Sequence, residues 1–444
     1  MKSLALLAIA AALSLNGPAA GVTLPNGVEL ERLADESYQP PGVPGEIFII
    51  EQTFPVVCGG KVLFTGVSDV NVNAAIYAAS SAGIEVVANL GTPIPGTPWF
   101  FTRAQRAACV WDRVFFAGGG GVTDPAARGI FAWTLATGEI ELLLSSALAF
   151  PTLEFLGFDD VSFDLEADGP GFAVTGPTFQ LGSFNRDALA FERFGNAPPQ
   201  LLAEGYTTLL PGHEMPPVTL TQPLMRGSDV IFKATFPFPD GGGLYRWSPA
   251  AGFTPIADTT TVYPQVGSNF AGFGLVIDLD AGLVFDSLFS GGLGVFLARD
   301  DGEIVPFVVP GDRTREGEVL IAARNPSGAG ALLTFTGRTA ENPFRDAIFV
   351  RRPDGVIQRI LGTGDVIEGR LVSGILSGAD DRDVGIWTQS TTGGFPNAVI
   401  YRASFGDGIA VDVPGPSPAA LAILFGWLGA AGWLLLSRGG GGPA

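Results

Sequence analysis

Along most of this chain the apolar residues come in runs of four to six, rich in Val, Ile and Phe and parted by short polar stretches marked with Gly or Pro. Runs of that length and composition predict β-strands rather than helices. They recur in groups of four. The first group is residues 54–58, 61–64, 75–79 and 84–88. Its second member returns at 113–116, 171–174, 229–232, 282–285, 332–335 and 384–387, and its fourth at 139–143, 200–203, 253–257, 303–308 and 356–360. The third member carries a small residue before two or three apolar ones. Counted from Ile76 through Ile130, Leu189, Leu244, Val295 and Ile348 to Ile400, it advances by 54, 59, 55, 51, 53 and 52 residues.

A period slightly above fifty predicts stacked or radial repeats, none able to bury its own face alone. Tight turns between third and fourth strands (Ala82-Gly83, Thr137-Gly138, Ala251-Gly252, Asp301-Gly302, Asp354-Gly355) are hairpin signatures. Four antiparallel strands in each period make the blade of a β-propeller. The termini sharpen this. The seventh group ends after its third strand, and the missing fourth stands at the other end. There, residues 28–34 lead into Gln39-Pro40-Pro41-Gly42, as 84–88 lead into Pro93-Ile94-Pro95-Gly96. The sequence therefore predicts an all-β, seven-bladed propeller over residues 22–410, closed by its N-terminal strand so that no sheet edge is left open. An open row of β-sandwiches is the alternative, and it leaves residues 28–34 without a partner.

Both ends read as addresses. Residues 1–20 combine Lys2, an apolar run from Leu4 to Leu15 and small residues near Ala20, the layout of a secretory signal peptide. At the other end, residues 411–418 are a Pro-rich linker holding Val413, Pro414 and Pro416. Residues 419–438 follow as an apolar stretch ending at Arg438, with a Gly-rich tail at 439–444. Its uncharged part from Ala419 to Leu436 would rise about 27 Å as a helix, close to a bilayer's hydrocarbon thickness. This order of parts resembles the PEP-CTERM sorting signals of exported bacterial proteins, and the resemblance implies processing by an exosortase-type transpeptidase. A plain C-terminal membrane anchor is the other reading. Both place the body outside the cytoplasm, at the cell surface, in the periplasm or beyond.

The repeats also resemble a broad family of uncharacterised exported bacterial proteins with tandem Asn-x-x-Gly-x-x-x-(small)-Phe units and interchangeable C-terminal anchors. Asn325-Pro326-Ser327-Gly328, leading into residues 332–335, carries the likeness best. What it implies is an exported propeller, with no catalytic residues to carry over.

Composition narrows the partners. Hydrophobic residues make up 47% of the chain and charged ones 16%, with 62 Gly and 34 Pro, which suits a large β core with many turns. The net charge is −19 and no basic run appears, so nucleic acid is excluded as a partner class. Enzyme signatures are sparse. The single histidine, His213, reads as a solvated loop residue, and no Gly-x-Ser-x-Gly elbow is present. Three acidic segments near Asp164, Asp278 and Asp380 fall at turns between first and second strands. Turn chemistry accounts for them, with calcium the one cofactor to test and no other metal indicated. Cys58 and Cys109 sit in the first strands of neighbouring units, where a disulfide and two buried thiols are both open readings.

Ligand contacts are expected on the variable loops between second and third strands, since loops on a rigid scaffold carry binding. Their polar residues are Asn71, Asn73, Asp124, Arg128, Asn185, Arg186, Asp187, Asn342, Arg345 and Asp346. The function expected is that of an exported binding or structural protein whose ligand is a polysaccharide or an envelope protein. A glycan-cleaving hydrolase or lyase using paired Asp/Glu is the alternative.

Overall fold

The computed structural model describes residues 21–38, 48–68, 74–110, 112–120, 127–145, 154–155, 160–166, 169–179, 186–193, 200–237, 241–263, 267–390 and 397–405. Residues 1–20 and 406–444 lie outside this set, and with them the leader, Val413, Pro414, Pro416, the apolar stretch and Arg438. Among the described residues no helix is long and apolar enough to cross a membrane.

The strands form antiparallel sheets in a propeller arrangement, each built on four successive strands, with short extra strands on three of them. In each sheet the strands are called a to d from the innermost outward. The first sheet is Val56–Cys58, Lys61–Ser68, Ala75–Ser80 and Gly83–Ala88. The second is Arg103–Val110, Arg113–Gly119, Arg128–Thr134 and Ile140–Ser145, and the third is Asp160–Glu166, Gly169–Phe179, Arg186–Arg193 and Gln200–Glu204. Thr219–Arg226, Asp229–Thr235, Gly242–Ser248 and Gly252–Asp258 make the fourth, and Gly272–Leu279, Gly282–Phe289, Gly292–Ala298 and Ile304–Val308 the fifth. The sixth is Leu320–Ala329, Leu332–Thr339, Ala347–Arg351 and Ile357–Gly362. The seventh takes Arg370–Ala379, Asp383–Ser390 and Asn397–Ser404 from the end of the chain and Glu29–Asp35 from its beginning. In that closure Leu30 pairs with Ala403 and Ala34 with Ile400. The a strands lie side by side in chain order, and that of the seventh sheet lies beside that of the first.

One aromatic pair recurs through the core. Phe64 and Tyr77, Phe116 and Phe131, Phe232 and Tyr245, Phe285 and Phe296, and Phe335 and Phe349 face each other across strands b and c of their sheets. Their ring centroids are 5.9, 5.6, 6.0, 5.8 and 5.4 Å apart. Such pairs add about 0.5–1.5 kcal/mol each beyond the area they bury. Strand b reads as a continuous apolar run because it is covered on both sides. In the first sheet Val62 and Phe64 pack against the seventh, while Leu63 between them packs against the second.

The innermost strands are bulged. Register shifts fall between Gln105 and Ala108, Thr221 and Leu224, Phe273 and Val276, and Arg324 and Ser327. A bulge increases local twist, which suits strands crowded round an axis. The link leaving strand d is also repeated. The N–H groups of Asn89, Asp258, Val309 and Gly362 donate to the side chains of Thr92 (3.1 Å), Thr261 (3.0 Å), Asp312 (2.9 Å) and Asp365 (2.7 Å), three residues on in each case. These side-chain caps satisfy backbone groups where the sheet ends.

Cys58 and Cys109 are joined by a disulfide, with their Cα atoms 5.5 Å apart. It ties the a strand of the first sheet to that of the second, close to the turns that lead into Lys61 and Arg113.

Candidate functional site

The ring has two unlike faces. On one, called the turn face, strand a turns tightly into b and c into d. On the other, the loop face, b leads to c and d crosses to the next sheet. The described chain ends on the turn face, where the Phe405 N–H donates to Arg382 O in the a–b turn of the seventh sheet.

The turn face is tied together by charge. Lys61 pairs with Glu85 at 2.7 Å and Arg113 with Glu141 at 2.6 Å, at equivalent positions of neighbouring sheets. Arg246 pairs with Asp229, and Arg402 with Glu31 across the closing strand. Arg226 joins two sheets through Asp278 (3.1 Å) and Asp300. The acidic segments considered for calcium belong here. The Asp380 carboxylate accepts from the N–H groups of Arg382 (2.9 Å) and Asp383 (2.7 Å), capping its own turn. Burial, with further push from Asp383 and Asp381, raises its pKa although those hydrogen bonds oppose the rise. Among the described residues no group of three or more His, Cys, Asp or Glu is placed to hold a metal.

The loop face is different. Fourteen large apolar side chains are exposed among the described residues, and all but Phe54 and Val356 lie on this face or at its rim. They include Phe100 at 53% exposure, Tyr206 at 56%, Leu209 at 60%, Val366 at 64% and Phe344 at 93%. Exposed apolar residues are ordinary taken singly; what distinguishes these is that they share one side of the ring.

Of the sequence candidates, Asn71, Asn73, Asp124 and Asn185 lie outside the described residues. Arg128 opens strand c of the second sheet, opposite Gly119. Arg186 and Asp187 open strand c of the third, opposite Thr178 and Pro177. The sixth sheet brings several groups together. The Asp346 carboxylate accepts from Arg324 Nη2 at 3.0 Å and from Arg338 Nε at 2.7 Å, each from a different strand. Asp346 O accepts from the Thr363 N–H at 2.8 Å, which docks the link to the seventh sheet beside it. Within that link Gly364 has φ +91° and lies against the Arg345 guanidinium, so a side chain there would meet both strain and a clash. Asn342 is exposed on the same loop, and its carbonyl accepts from the Arg345 N–H. Arg324 and Arg338 were missed because both lie in strands rather than loops.

Half-way down the ring the residue after the strand b aromatic is polar and mostly buried: Thr65, Lys233, Asp286, Thr336 and Thr388, with Ala117 the apolar exception. Asp286 is only 5% exposed. It accepts from the Leu275 N–H at 2.6 Å and from the Asn325 N–H of the next sheet, linking two adjacent bulges. Gly274 leaves room for that carboxylate, which any Cβ there would strike. Burial raises the Asp286 pKa, and its hydrogen bonds and Lys233 offset the shift only in part. Burial likewise lowers that of Lys233. Near the ring closure Glu36 and Glu51 are also raised by burial, Glu36 despite bonds from the backbone of Ala398 and Ile50.

His213 is packed rather than solvated, contrary to the sequence reading. Its ring stacks on Phe236 with centroids 3.6 Å apart and planes 9° off parallel, and Nε2 meets the hydroxyl of buried Tyr245 at 2.5 Å. The imidazole serves the join between loop and fourth sheet.

No protein-family model matches the chain, and no curated protein does. Solved structures match along most of its length. An oligogalacturonate lyase from Vibrio parahaemolyticus is 14% identical, with 88% of this chain and 100% of that one covered and a TM-score of 0.49. The β-propeller domain of the Trilobed protease from Pyrococcus furiosus, which has an open velcro topology, is 11% identical (75% and 91% covered, TM-score 0.42). TolB from Acinetobacter baumannii is 11% identical (79% and 78% covered, TM-score 0.35).

Proposed function

We propose that this is an exported binding protein: a seven-bladed propeller, tethered or sorted through its C-terminal stretch, that meets its ligand with the loop face. The blade count rests on seven sheets, each built on four successive strands a to d, whose innermost strands follow one another and return to the first. Export and sorting rest on the signal-like residues 1–20 and the PEP-CTERM-like residues 411–438, with an exosortase-type enzyme as processing partner. The ligand is a polysaccharide or an envelope component, and the membrane is met through residues 419–438.

The observation that carries this reading is the gathering of twelve of the fourteen exposed large apolar side chains of the described residues on the loop face or at its rim. Screening the full chain against a glycan array and against purified envelope proteins tests it. Substituting Phe100 or Phe344 by Ala is expected to weaken capture of whichever ligand is found by about tenfold or more, and substituting Lys61 or Arg113 by Gln to leave it intact. The reverse pattern contradicts the proposal. Export is tested by fractionating cells that make the full chain or a chain ending at Phe405. The full chain is expected in the membrane or surface fraction, and the shorter one released.

A further inference from the structure

We infer that the loop end of the sixth sheet is a subsite for an acidic polysaccharide, one whose sugar rings carry carboxylates. The inference rests on the loop face being the ligand face and names the chemistry it selects. In a chain of net charge −19, two guanidiniums meet here at one carboxylate, Arg324 and Arg338 at Asp346, and a third, that of the neighbouring Arg345, lies against Gly364 of the adjoining link. Asp346 takes one donor from Arg324 and one from Arg338, fixing both guanidiniums while their other N–H groups stay available. Both side chains remain accessible, at 39% and 40%. A guanidinium held in this way offers two parallel donors to an incoming carboxylate, the geometry in which Arg exceeds Lys. Arg345 adds a third positive group on an exposed loop, and no ion pair to a described residue neutralises it.

Beside these charges stands Phe344, the most exposed large apolar residue of the described chain. Among the described residues no ring contact to Phe344 is present, and the C–H face of a pyranose would cover it. In the link docked on Asp346, Val366 pairs with Leu371, and both are exposed, at 64% and 50%. A repeating chain of acidic sugars supplies both requirements at once, a ring face for Phe344 and spaced carboxylates for the arginines. An acidic peptide supplies the charges without the rigid ring face.

The test uses the full chain purified in mild detergent and titrated with polymannuronate oligomers, with neutral glucan oligomers and with poly-glutamate. Polymannuronate is expected to bind and to weaken as salt is added. Phe344→Ala and Arg345→Gln are each expected to cost about tenfold or more in affinity, with an unchanged melting temperature showing that the fold is intact. Absence of polymannuronate binding, binding indifferent to both substitutions, or equal binding of poly-glutamate each overturns the inference. Neutral glucan bound in preference, and lost on Phe100→Ala, would overturn the acidic-sugar assignment while leaving the loop-face reading in place.

Discussion

The two faces of this ring are built from the same strands and differ in what their connections expose. On the turn face the links are short, Gly-marked and capped by their own carboxylates, and charges pair across strands and between sheets. On the loop face the links vary in length and carry Phe100, Tyr206, Leu209, Phe344 and Val366 into solvent. The contrast teaches that one end of the blades keeps a single short kind of connection while the other varies its links over a shared core.

The largest effect expected on this contrast comes from the disulfide, which staples the ring at its turn end. Cys58 and Cys109 are separated by 51 residues. For a loop of that size the chain-entropy model gives about 4 kcal/mol of stabilisation. The double substitution Cys58→Ala, Cys109→Ala should lower stability by roughly that amount in a denaturant titration, while ligand capture at a temperature where the variant is folded stays unchanged. Loss of capture without loss of stability would blur the two faces.

Next in size is the converse change. Phe344→Ala should weaken ligand binding by about 1.4 kcal/mol or more and leave stability within about 0.5 kcal/mol, as surface substitutions do. Thermal melts run alongside binding isotherms measure both.

A smaller effect concerns pH. Burial raises the pKa of Asp286, Glu36, Glu51 and Asp380 in the folded protein. A folded-state value above the unfolded one means that the native state holds protons more tightly, so stability falls as pH rises through it. The melting temperature should fall as the pH rises from the unfolded carboxylate value of about 4 through the raised folded values, and Asp286→Asn should flatten the slope. Asp258 acts in the opposite sense: burial would raise it, but four bonds from Thr260 and Thr261 hold it below the usual range. Its contribution is present above the unfolded value and is lost as the pH drops through the folded one. Melting curves recorded across the series check both signs.

The smallest effects belong to the paired charges. Lys61→Gln or Arg113→Gln should cost about 0.2–1 kcal/mol, less in high salt, because these pairs are solvent-screened. Denaturation at low and high ionic strength reads it directly.

Much of the fold was legible in the sequence for a simple reason. Each strand is a local apolar run, each hairpin a local Gly turn, and the closing strand repeats the pattern of residues 84–88. The polar residue after each strand b aromatic was equally visible in Lys233 and Asp286, although its role across sheets emerges only from the packed ring. The site was half legible. Arg345 and Asp346 stand in a variable loop, but their companions Arg324 and Arg338 lie in strands, where alternation says nothing of reach toward another strand. His213 was misread because Phe236 and Tyr245, which hold it, lie 23 and 32 residues further along the chain, just past the end of one strand and in the middle of the next.

One measurement addresses the division of labour between the faces directly. Variants Asp301→Cys, on the turn face, and Glu316→Cys, on the loop face, allow the protein to be immobilised through either side and offered the same glycans and envelope proteins. Capture is predicted when the ring is attached through Asp301→Cys and strong loss when it is attached through Glu316→Cys. Equal capture in both orientations, or capture only through the loop-face attachment, would contradict the account.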